Sequence, residues 1–328
     1  MMEKASYLIY LTILLLSILM FGAVHAYMYT FLTLGVLLAT VLLVFKSIRK
    51  DYKTGRYRFE VPRNSLHVGF AVLLGFLVFQ TVPLPSFILD FLSPEASVVA
   101  EKSLPALEML NSEEMDSPWF SLGVYAYPVR VSAVRFLVYG LFFFGFFQTL
   151  QSRRRINVAV SFLLAMGCFE ALYGLMETYS GSHHVLWYQM DYAKERVKGT
   201  FINGNHFAAF MAMGVVLAAA FAGAIAPEKR VRRKSSGRKP SLNSRVVFFL
   251  EGEEAFFKRI LVGLSGVVMG LGLVFSASRG AILSWAGAML LMGLLLVLRK
   301  NYRQKGILFI GIFVLICGYA VQIGVEYP

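Results

Sequence analysis

The sequence has little charge and almost no cysteine. Only 16% of its 328 residues are charged and only two are cysteine, whereas 57% are hydrophobic. Cys168 and Cys317 both fall inside long apolar runs, which excludes a disulfide framework of the kind found in small secreted domains. The low charge excludes a soluble globular protein, because so much apolar surface cannot be hidden from water.

The sequence also lacks the motifs of several enzyme classes. It contains no Walker loop, no dinucleotide-binding glycine pattern, no Ser–His–Asp signature and no HExxH or Cys/His metal spacing. His183 and His184 are adjacent, so their side chains point in different directions and do not predict a metal site. We therefore predict neither a metal nor any other cofactor.

Long apolar runs dominate the sequence instead. Several exceed the roughly 18 consecutive apolar residues that mark a membrane-spanning helix. The first run has no cleavage-site pattern after it and is followed at once by a second run, which predicts a retained helix. We therefore predict an all-α polytopic membrane protein with about nine transmembrane helices. The predicted spans are 6–24, 27–45, 65–82, 132–150, 156–175, 204–226, 260–276, 280–298 and 306–325.

The basic residues predict the orientation of these spans. Most of the 32 Lys and Arg residues fall in alternate loops, starting with Lys4 before the first span. Basic residues are enriched on the cytoplasmic side of membrane helices. We therefore expect a cytoplasmic N-terminus and, with an odd number of spans, a periplasmic C-terminus.

The loops and spans together predict a single integral membrane domain over 1–328. Two long loops, about 83–131 and 177–205, lie on the predicted outer, periplasmic side. The interrupted apolar character of the first loop predicts short helices on the outer leaflet. A basic loop over 227–259 lies on the cytoplasmic side. Its charges are not interleaved with aromatic residues, so we predict membrane lipids rather than nucleic acid as its partner.

Arg279, in the stretch VFSASRGAILSW, lies between two apolar runs at the outer end of a predicted helical hairpin. Its neighbours Ser278 and Gly280 are small, so a ligand or a backbone can approach closely. A guanidinium can pair with two oxygens of a phosphate at once. The sequence supports two alternatives equally, an anchor in the headgroup layer and an anion site.

The stretch RVKGTFINGNHFAAF, which begins at Arg196, places polar residues at the mouth of a predicted span. Arg196 and Lys198 lie on the side of the membrane where basic residues are disfavoured. Asn203 and Asn205 can either cap the helix that follows or contact a substrate. His206 enters that helix, where a structural hydrogen-bonding role is favoured over a role as base or ligand.

Glu170 is the only carboxylate within a predicted span. Buried carboxylates are costly in a membrane and often mark ion paths. Glu170 therefore supports an alternative function, a transporter or channel-like protein without group-transfer chemistry. Against it, the sequence shows no inverted repeat and no paired broken helices of the kind that transporters have.

Taken together, RVKGTFINGNHFAAF and SASRGAILSW resemble motifs of the O-antigen ligase and O-antigen polymerase superfamily of bacterial inner-membrane proteins. In that family an Arg shortly before a GTF.N.N.FA stretch leads into one membrane helix. A later S.SRGA stands at the outer end of another helix. The resemblance covers about 196–298, and the order of the two motifs and their side of the membrane agree with it.

The resemblance implies a metal-independent, multi-pass glycosyltransferase that faces the periplasm from the bacterial inner membrane. Its donor would be a glycan on undecaprenyl pyrophosphate. Its acceptor would be lipid A–core for a ligase or another lipid-linked glycan for a polymerase, and the residues do not distinguish the two. By motif match, Arg196 and Arg279 would be the catalytic residues that hold the donor pyrophosphate. The other residues that we predict to bind substrate are Lys198, Asn203, Asn205, His206 and Ser278.

The sequence departs from the family pattern after its last predicted span. Family members continue with a large periplasmic loop, which carries a His assigned to activating the acceptor, and with further spans. This sequence stops at Pro328, where that loop would begin. We therefore expect either a fragment, a truncated protein or a second polypeptide that supplies the rest, and His206 does not inherit the role of the base.

Overall fold

The structure is a computed structural model that describes residues 2–50, 57–59, 65–111, 119–123, 125–181, 184–189, 196–225, 242–299, 302–304, 306–307, 309–311, 313–314 and 318. This part of the chain is mainly helical, with three short antiparallel strand pairs. The main helices are α1 (Met2–Leu19), α2 (Ala26–Ser47), α3 (Ser65–Phe79), α4 (Ser86–Leu92), α5 (Pro94–Asn111), α6 (Ala126–Thr149), α7 (Arg153–Tyr179), α8 (Gly204–Ala224), α9 (Leu242–Phe275) and α10 (Arg279–Val297). The strands are β1 (Ile48–Lys50), β2 (Tyr57–Phe59), β3 (Pro83–Leu84), β4 (Phe120–Ser121), β5 (His184–Val185) and β6 (Tyr188–Gln189), paired in consecutive order.

Among the described residues, seven helices are long and apolar enough to cross a membrane. Each coincides with a predicted span: α1, α2, α6, α7, α8, the Phe256–Phe275 part of α9, and α10. The prediction of a helical, multi-pass membrane protein is confirmed at this level. The count of nine spans, the cytoplasmic N-terminus and the bacterial inner membrane stay predictions.

The third predicted span, 65–82, is helical but short. Helix α3 has 15 residues, so at 1.5 Å per residue it covers about 22 Å, less than the roughly 30 Å of a bilayer's hydrocarbon core. The chain leaves the helix before Pro83, which begins β3 and cannot continue the helical hydrogen bonding. Most of the ninth predicted span, 306–325, lies outside the described residues.

Helix α9 is longer than the sequence predicts. It begins at Leu242, so the second half of the predicted basic loop over 227–259 is helical, while the bounds of that loop and its cytoplasmic side stay predictions. Hydropathy marks only the apolar part of a helix, and a polar extension of the same helix gives no such signal. Residues 226–241 lie outside the described part of the chain.

The two predicted outer loops contain more regular structure than loops usually do. In the first loop, α4 and α5 are helical, as its pattern predicts, and their place on the outer leaflet stays a prediction. Pro94 begins α5, where proline fits because the first-turn N–H groups have no acceptor within the helix. In the second loop, β5 and β6 form a hairpin that the sequence did not predict. Leu186 makes its turn with φ 51°, a value usually met by Gly or Asn, so the usual turn signal is missing.

The described chain forms two compact units. The first contains 1–13 and 30–151, and the second contains 14–29 and 152–328. In the first unit, Phe70 of α3 stacks on Phe136 of α6, with ring centroids 4.8 Å apart. Helices α1 and α2 contribute to both units, and the single membrane domain stays a prediction.

In the second unit, α7, α8 and α9 pack around one hydrophobic core. Phe207 of α8 and Met269 of α9 are fully buried in it, and Ile18 near the end of α1 joins the same cluster. Glycines allow the close approach of these helices, because the Met269 sulfur occupies the space that a Cβ would need at Gly167 or at Gly214. This core fixes the starts of α8 and α10, where the predicted functional residues lie.

Candidate functional site

The first part of the site is the chain that leads into α8. Asn203 precedes the helix with extended backbone (φ −98°, ψ 116°), and its side chain accepts a hydrogen bond from the Asn205 N–H at 2.9 Å. The bond satisfies one of the N–H groups that a helix start leaves without a partner. Of the two alternatives that the sequence leaves for Asn203, the geometry gives it the capping role.

Arg196 lies against the first residue of α8. Its Nε is 3.1 Å from the position that a Cβ on Gly204 would occupy, so glycine lets the side chain approach the helix start closely. The N-terminus of a helix carries a partial positive charge from its N–H groups. Arg196 therefore adds a full positive charge to an end of α8 that is already positive.

The second part of the site is the turn between α9 and α10. Helix α9 ends at Phe275 and α10 begins at Arg279, so three residues reverse the chain. Ala277 has φ 52°, which is uncommon for a residue with a side chain. Ser278 precedes α10 and is buried. The turn places Arg279 at the first position of its helix.

One backbone hydrogen bond joins the two parts. The Val197 N–H donates to the Phe275 C=O at 3.1 Å. Val197 follows Arg196 directly, and Phe275 is the last residue before the turn that leads to Arg279. The bond therefore holds two segments side by side that are far apart in the sequence.

Arg196 and Arg279 line one cavity of about 940 Å³. Ligand pockets in proteins usually measure about 300–1,000 Å³, so the cavity is large enough for a substantial ligand. Two other predicted residues, Asn205 and Ser278, also line it. The remaining lining residues come from α8, α10 and the turn before α10 and are mostly small or apolar: Ala209, Ala212, Met213, Val216, Leu217, Ala220, Ala277, Gly280, Ala281, Ser284, Trp285 and Ala288.

The cavity is positively charged. Arg196 and Arg279 are the only charged groups among the described residues that line it. Within the described part of the chain, neither guanidinium has an ion-pair or hydrogen-bond partner. Helices α8 and α10 both begin at this cavity, and their N–H groups add to its positive potential. Two unpaired guanidinium groups beside two helix starts suit an oxygen-rich anion such as a phosphate or pyrophosphate.

Three of the predicted substrate-binding residues do not line the cavity. Lys198 is buried, with 7% of its surface exposed. Asn203 caps α8, and His206 is exposed in the first turn, where its backbone N–H donates to the Asn203 C=O. Substrate contact by these three residues stays a prediction.

The described residues offer no metal site. No three His, Cys, Asp or Glu side chains among them come close enough together to hold a metal ion. His184 belongs to β5, and His183 lies outside the described residues. The absence of a metal from the reaction stays a prediction and is tested below.

Two features of the site were not identified from the sequence. Trp285 lines the cavity one helical turn and a half after Arg279, and in the sequence it looks like any aromatic residue of an apolar run. Glu170 of α7 was identified only as an isolated carboxylate, and its partner Thr200 was not predicted. The buried contact between them, described below, has no sequence signal because it joins two separate elements.

No protein-family model, no curated protein and no solved structure matches this chain. The motif resemblance and the geometry of the cavity are therefore the observations that bear on function.

Proposed function

We propose that this protein transfers a glycan from an undecaprenyl-pyrophosphate donor to a sugar hydroxyl, as O-antigen ligases and polymerases do. The observation that carries the proposal is that Arg196 and Arg279 line one cavity. These are the two residues that the motif resemblance assigns to the donor pyrophosphate. The reaction would take place at the periplasmic face of the bacterial inner membrane. Its acceptor would be lipid A–core or a second lipid-linked glycan.

The two arginines would act on the leaving group. The acceptor oxygen bonds to the anomeric carbon while the bond from that carbon to the pyrophosphate oxygen breaks, so negative charge grows on the pyrophosphate. Two guanidinium groups stabilise this charge by donating paired hydrogen bonds to its oxygens. The acceptor hydroxyl also loses its proton, and the base that takes it is not among the described residues that line the cavity.

The apolar walls of the cavity suit a lipid-linked donor. They extend along α8 from Ala209 to Ala220, which at 1.5 Å per residue is about 16 Å. The facing wall on α10 runs from Ala281 to Ala288. Both helices are of membrane-spanning length, so an isoprenoid chain beside these walls would remain in an apolar environment.

The transporter alternative had two functional features, Glu170 as an intramembrane carboxylate and the Gly-rich seventh predicted span, 260–276. Glu170 is fully buried and accepts hydrogen bonds from Thr200. It does not belong to the lining of the cavity. These contacts support a role for Glu170 within the fold and give the transport proposal no observation of its own.

The direct test is glycan transfer by the purified, reconstituted protein. We expect product when the protein receives an undecaprenyl-pyrophosphate-linked glycan together with lipid A–core or with a second lipid-linked glycan, and the productive acceptor distinguishes ligase from polymerase. Because the arginines take the part that a metal would play, EDTA should leave the rate unchanged. Loss of transfer on chelation, restored by a divalent cation, would contradict the metal-independent mechanism. Absence of transfer to both acceptors would contradict the proposed function.

Trp285 gives a test of donor binding that does not require turnover. The sequence has three Trp residues, so replacing Trp119 and Trp187 with Phe leaves the cavity residue as the only indole. Titration with undecaprenyl pyrophosphate should change its fluorescence and saturate. A matched protein with Trp285→Phe and the other two Trp residues intact should show no saturable change. Equal responses from the two proteins would show that the lipid binds elsewhere.

A further inference from the structure

Glu170 makes a fully buried polar contact in the second unit. It lies in α7 with none of its surface exposed. The Thr200 N–H donates to Glu170 Oε2 at 2.8 Å, and the Thr200 hydroxyl is 2.8 Å from Glu170 Oε1. The same hydroxyl lies 2.9 Å from the Ile18 C=O at the end of α1. Thr200 is likewise fully buried, so solvent water does not compete for these hydrogen bonds.

The chain on either side of Thr200 packs directly on α7. Gly199 has φ +55°, and a Cβ at this position would run into the Glu170 carboxylate. A Cβ on Gly174 would come within 2.7 Å of the Gly199 backbone nitrogen and 2.8 Å of a Val197 methyl group. Contacts under 3.0 Å are not tolerated without a shift of the neighbouring atoms. Both glycines are therefore required for residues 197–200 to lie against α7.

These contacts hold the segment that follows Arg196 directly. Thr200 is four residues after Arg196 and four before the start of α8 at Gly204. The Val197 N–H donates a hydrogen bond to the Phe275 C=O, which precedes the turn to Arg279. The position of Arg196 relative to Arg279 thus depends on how residues 197–200 are held.

We propose that Glu170 is a positioning residue for Arg196. The two hydrogen bonds that join the Thr200 N–H and the Thr200 hydroxyl to the Glu170 carboxylate are called the Glu170–Thr200 clamp. The clamp holds residues 197–200 so that the Arg196 guanidinium lines the cavity together with that of Arg279. The proposal rests on the proposed function, because it assigns Glu170 a task in binding the donor. Glu170 itself does not touch the substrate.

Replacing Glu170 with glutamine distinguishes a positioning role from a role as proton carrier. Glutamine can keep the hydrogen bonds of the carboxylate, but it cannot carry a proton. A Gln at position 170 keeps one oxygen to accept from the Thr200 N–H, and its NH₂ group donates to the Thr200 hydroxyl. The hydroxyl hydrogen then remains available for the Ile18 C=O. Alanine removes both bonds and leaves the Thr200 N–H and hydroxyl buried with fewer partners, which favours movement of the segment.

The test compares Glu170→Gln, Glu170→Ala and Thr200→Val, with Glu101→Ala on the exposed surface of α5 as a control. Hydrogen exchange at residues 196–201 measures the clamp without any turnover, and transfer from the lipid-linked donor measures its effect. We expect Glu170→Ala to speed exchange of the Thr200 amide and to lower transfer about 100-fold, the cost of a misplacement near 1 Å. Glu170→Gln should keep slow exchange and most of the transfer. Thr200→Val, which removes only the hydroxyl, should lie between them and carries the test if Glu170→Ala does not fold.

Two results would overturn the proposal. Glu170→Gln as impaired as Glu170→Ala would show that the charge or proton of the carboxylate matters, and not its position. Unchanged exchange or unchanged transfer in Glu170→Ala and Thr200→Val would show that no clamp acts on Arg196. A wild-type protein without any transfer would instead contradict the proposed function, and exchange at residues 196–201 would still report whether the clamp exists.

Discussion

Replacing Arg196 or Arg279 with alanine is expected to lower glycan transfer about 100-fold or more, since removing one positioned donor from a site of charge development typically costs 10²–10³ in rate. Both guanidinium groups line the same cavity, and neither has a partner among the described residues. Neither residue is needed to satisfy a buried group of the described fold. The variants should therefore insert into the membrane and unfold at the wild-type temperature while losing activity.

Lysine variants refine this test. Lysine keeps the positive charge but offers a single flexible ammonium in place of a planar fork, so it cannot donate paired hydrogen bonds in the same plane. We expect Arg196→Lys and Arg279→Lys to retain more transfer than the alanine variants but less than the wild-type protein. Lysine variants as active as the wild type would indicate that charge alone suffices.

Arg130→Ala is the matched control for the arginine variants. Arg130 is exposed near the start of α6, on the same predicted side of the membrane, and does not line the cavity. Its removal should leave transfer and donor binding unchanged. Normal transfer by a protein that lacks both Arg196 and Arg279 would contradict the assignment of the cavity to pyrophosphate.

The second large effect is expected from Gly174→Ala. A methyl group at this position would come within 2.7 Å of the Gly199 backbone nitrogen and 3.0 Å of its Cα, and a backbone cannot move aside as a flexible side chain can. Inserting one carbon into a packed interior usually costs about 1–3 kcal/mol. We expect a lower temperature of unfolding and, because residues 197–200 must shift, a clear loss of transfer.

Gly270→Ala provides the comparison for Gly174→Ala. Both glycines are helical, but a Cβ at Gly270 of α9 would meet nothing within 4 Å. Alanine there should be neutral or should stabilise the helix by up to about 1 kcal/mol, the difference in helix propensity between the two residues. Thermal unfolding in detergent and transfer assays on both variants measure the contrast. Equal behaviour of the two variants would show that the close packing of α7 on residues 197–200 is unimportant.

The helices of membrane-spanning length could be predicted because their signal is local. An apolar run of sufficient length can be recognised in the sequence whatever the helix packs against. Helix α8, for example, begins at Gly204, the first residue of the span predicted there. The start of α9 at Leu242 was not predicted, because a polar helical extension has no apolar periodicity. The β5–β6 hairpin was not predicted for a related reason. Leu186 has a positive φ at the turn, where a glycine or an asparagine would have been the sequence signal for a hairpin.

Within the site, the sequence identified residue types and the structure identified their partners. Asn203 and Asn205 are equivalent in the sequence, on either side of one glycine. The structure separates them, because Asn203 caps α8 while Asn205 lines the cavity. Lys198 looks as available as Arg196 in the sequence, yet it is buried and lies outside the lining. Such distinctions depend on side-chain direction, which a short irregular segment does not reveal.

The sequence by itself determined that this protein is helical and rich in segments of membrane-spanning length. It also determined that one arginine lies at the start of such a helix and another shortly before the start of a second. Only the tertiary structure decided that Arg196 and Arg279 line one cavity and that Glu170 is bonded to Thr200. The physical reason is the range of the interactions. Each apolar run favours a membrane-spanning helix independently of the other helices. In contrast, the Val197–Phe275 hydrogen bond and the contact of Gly174 with Gly199 join residues that meet only when α7, α8 and α9 pack together.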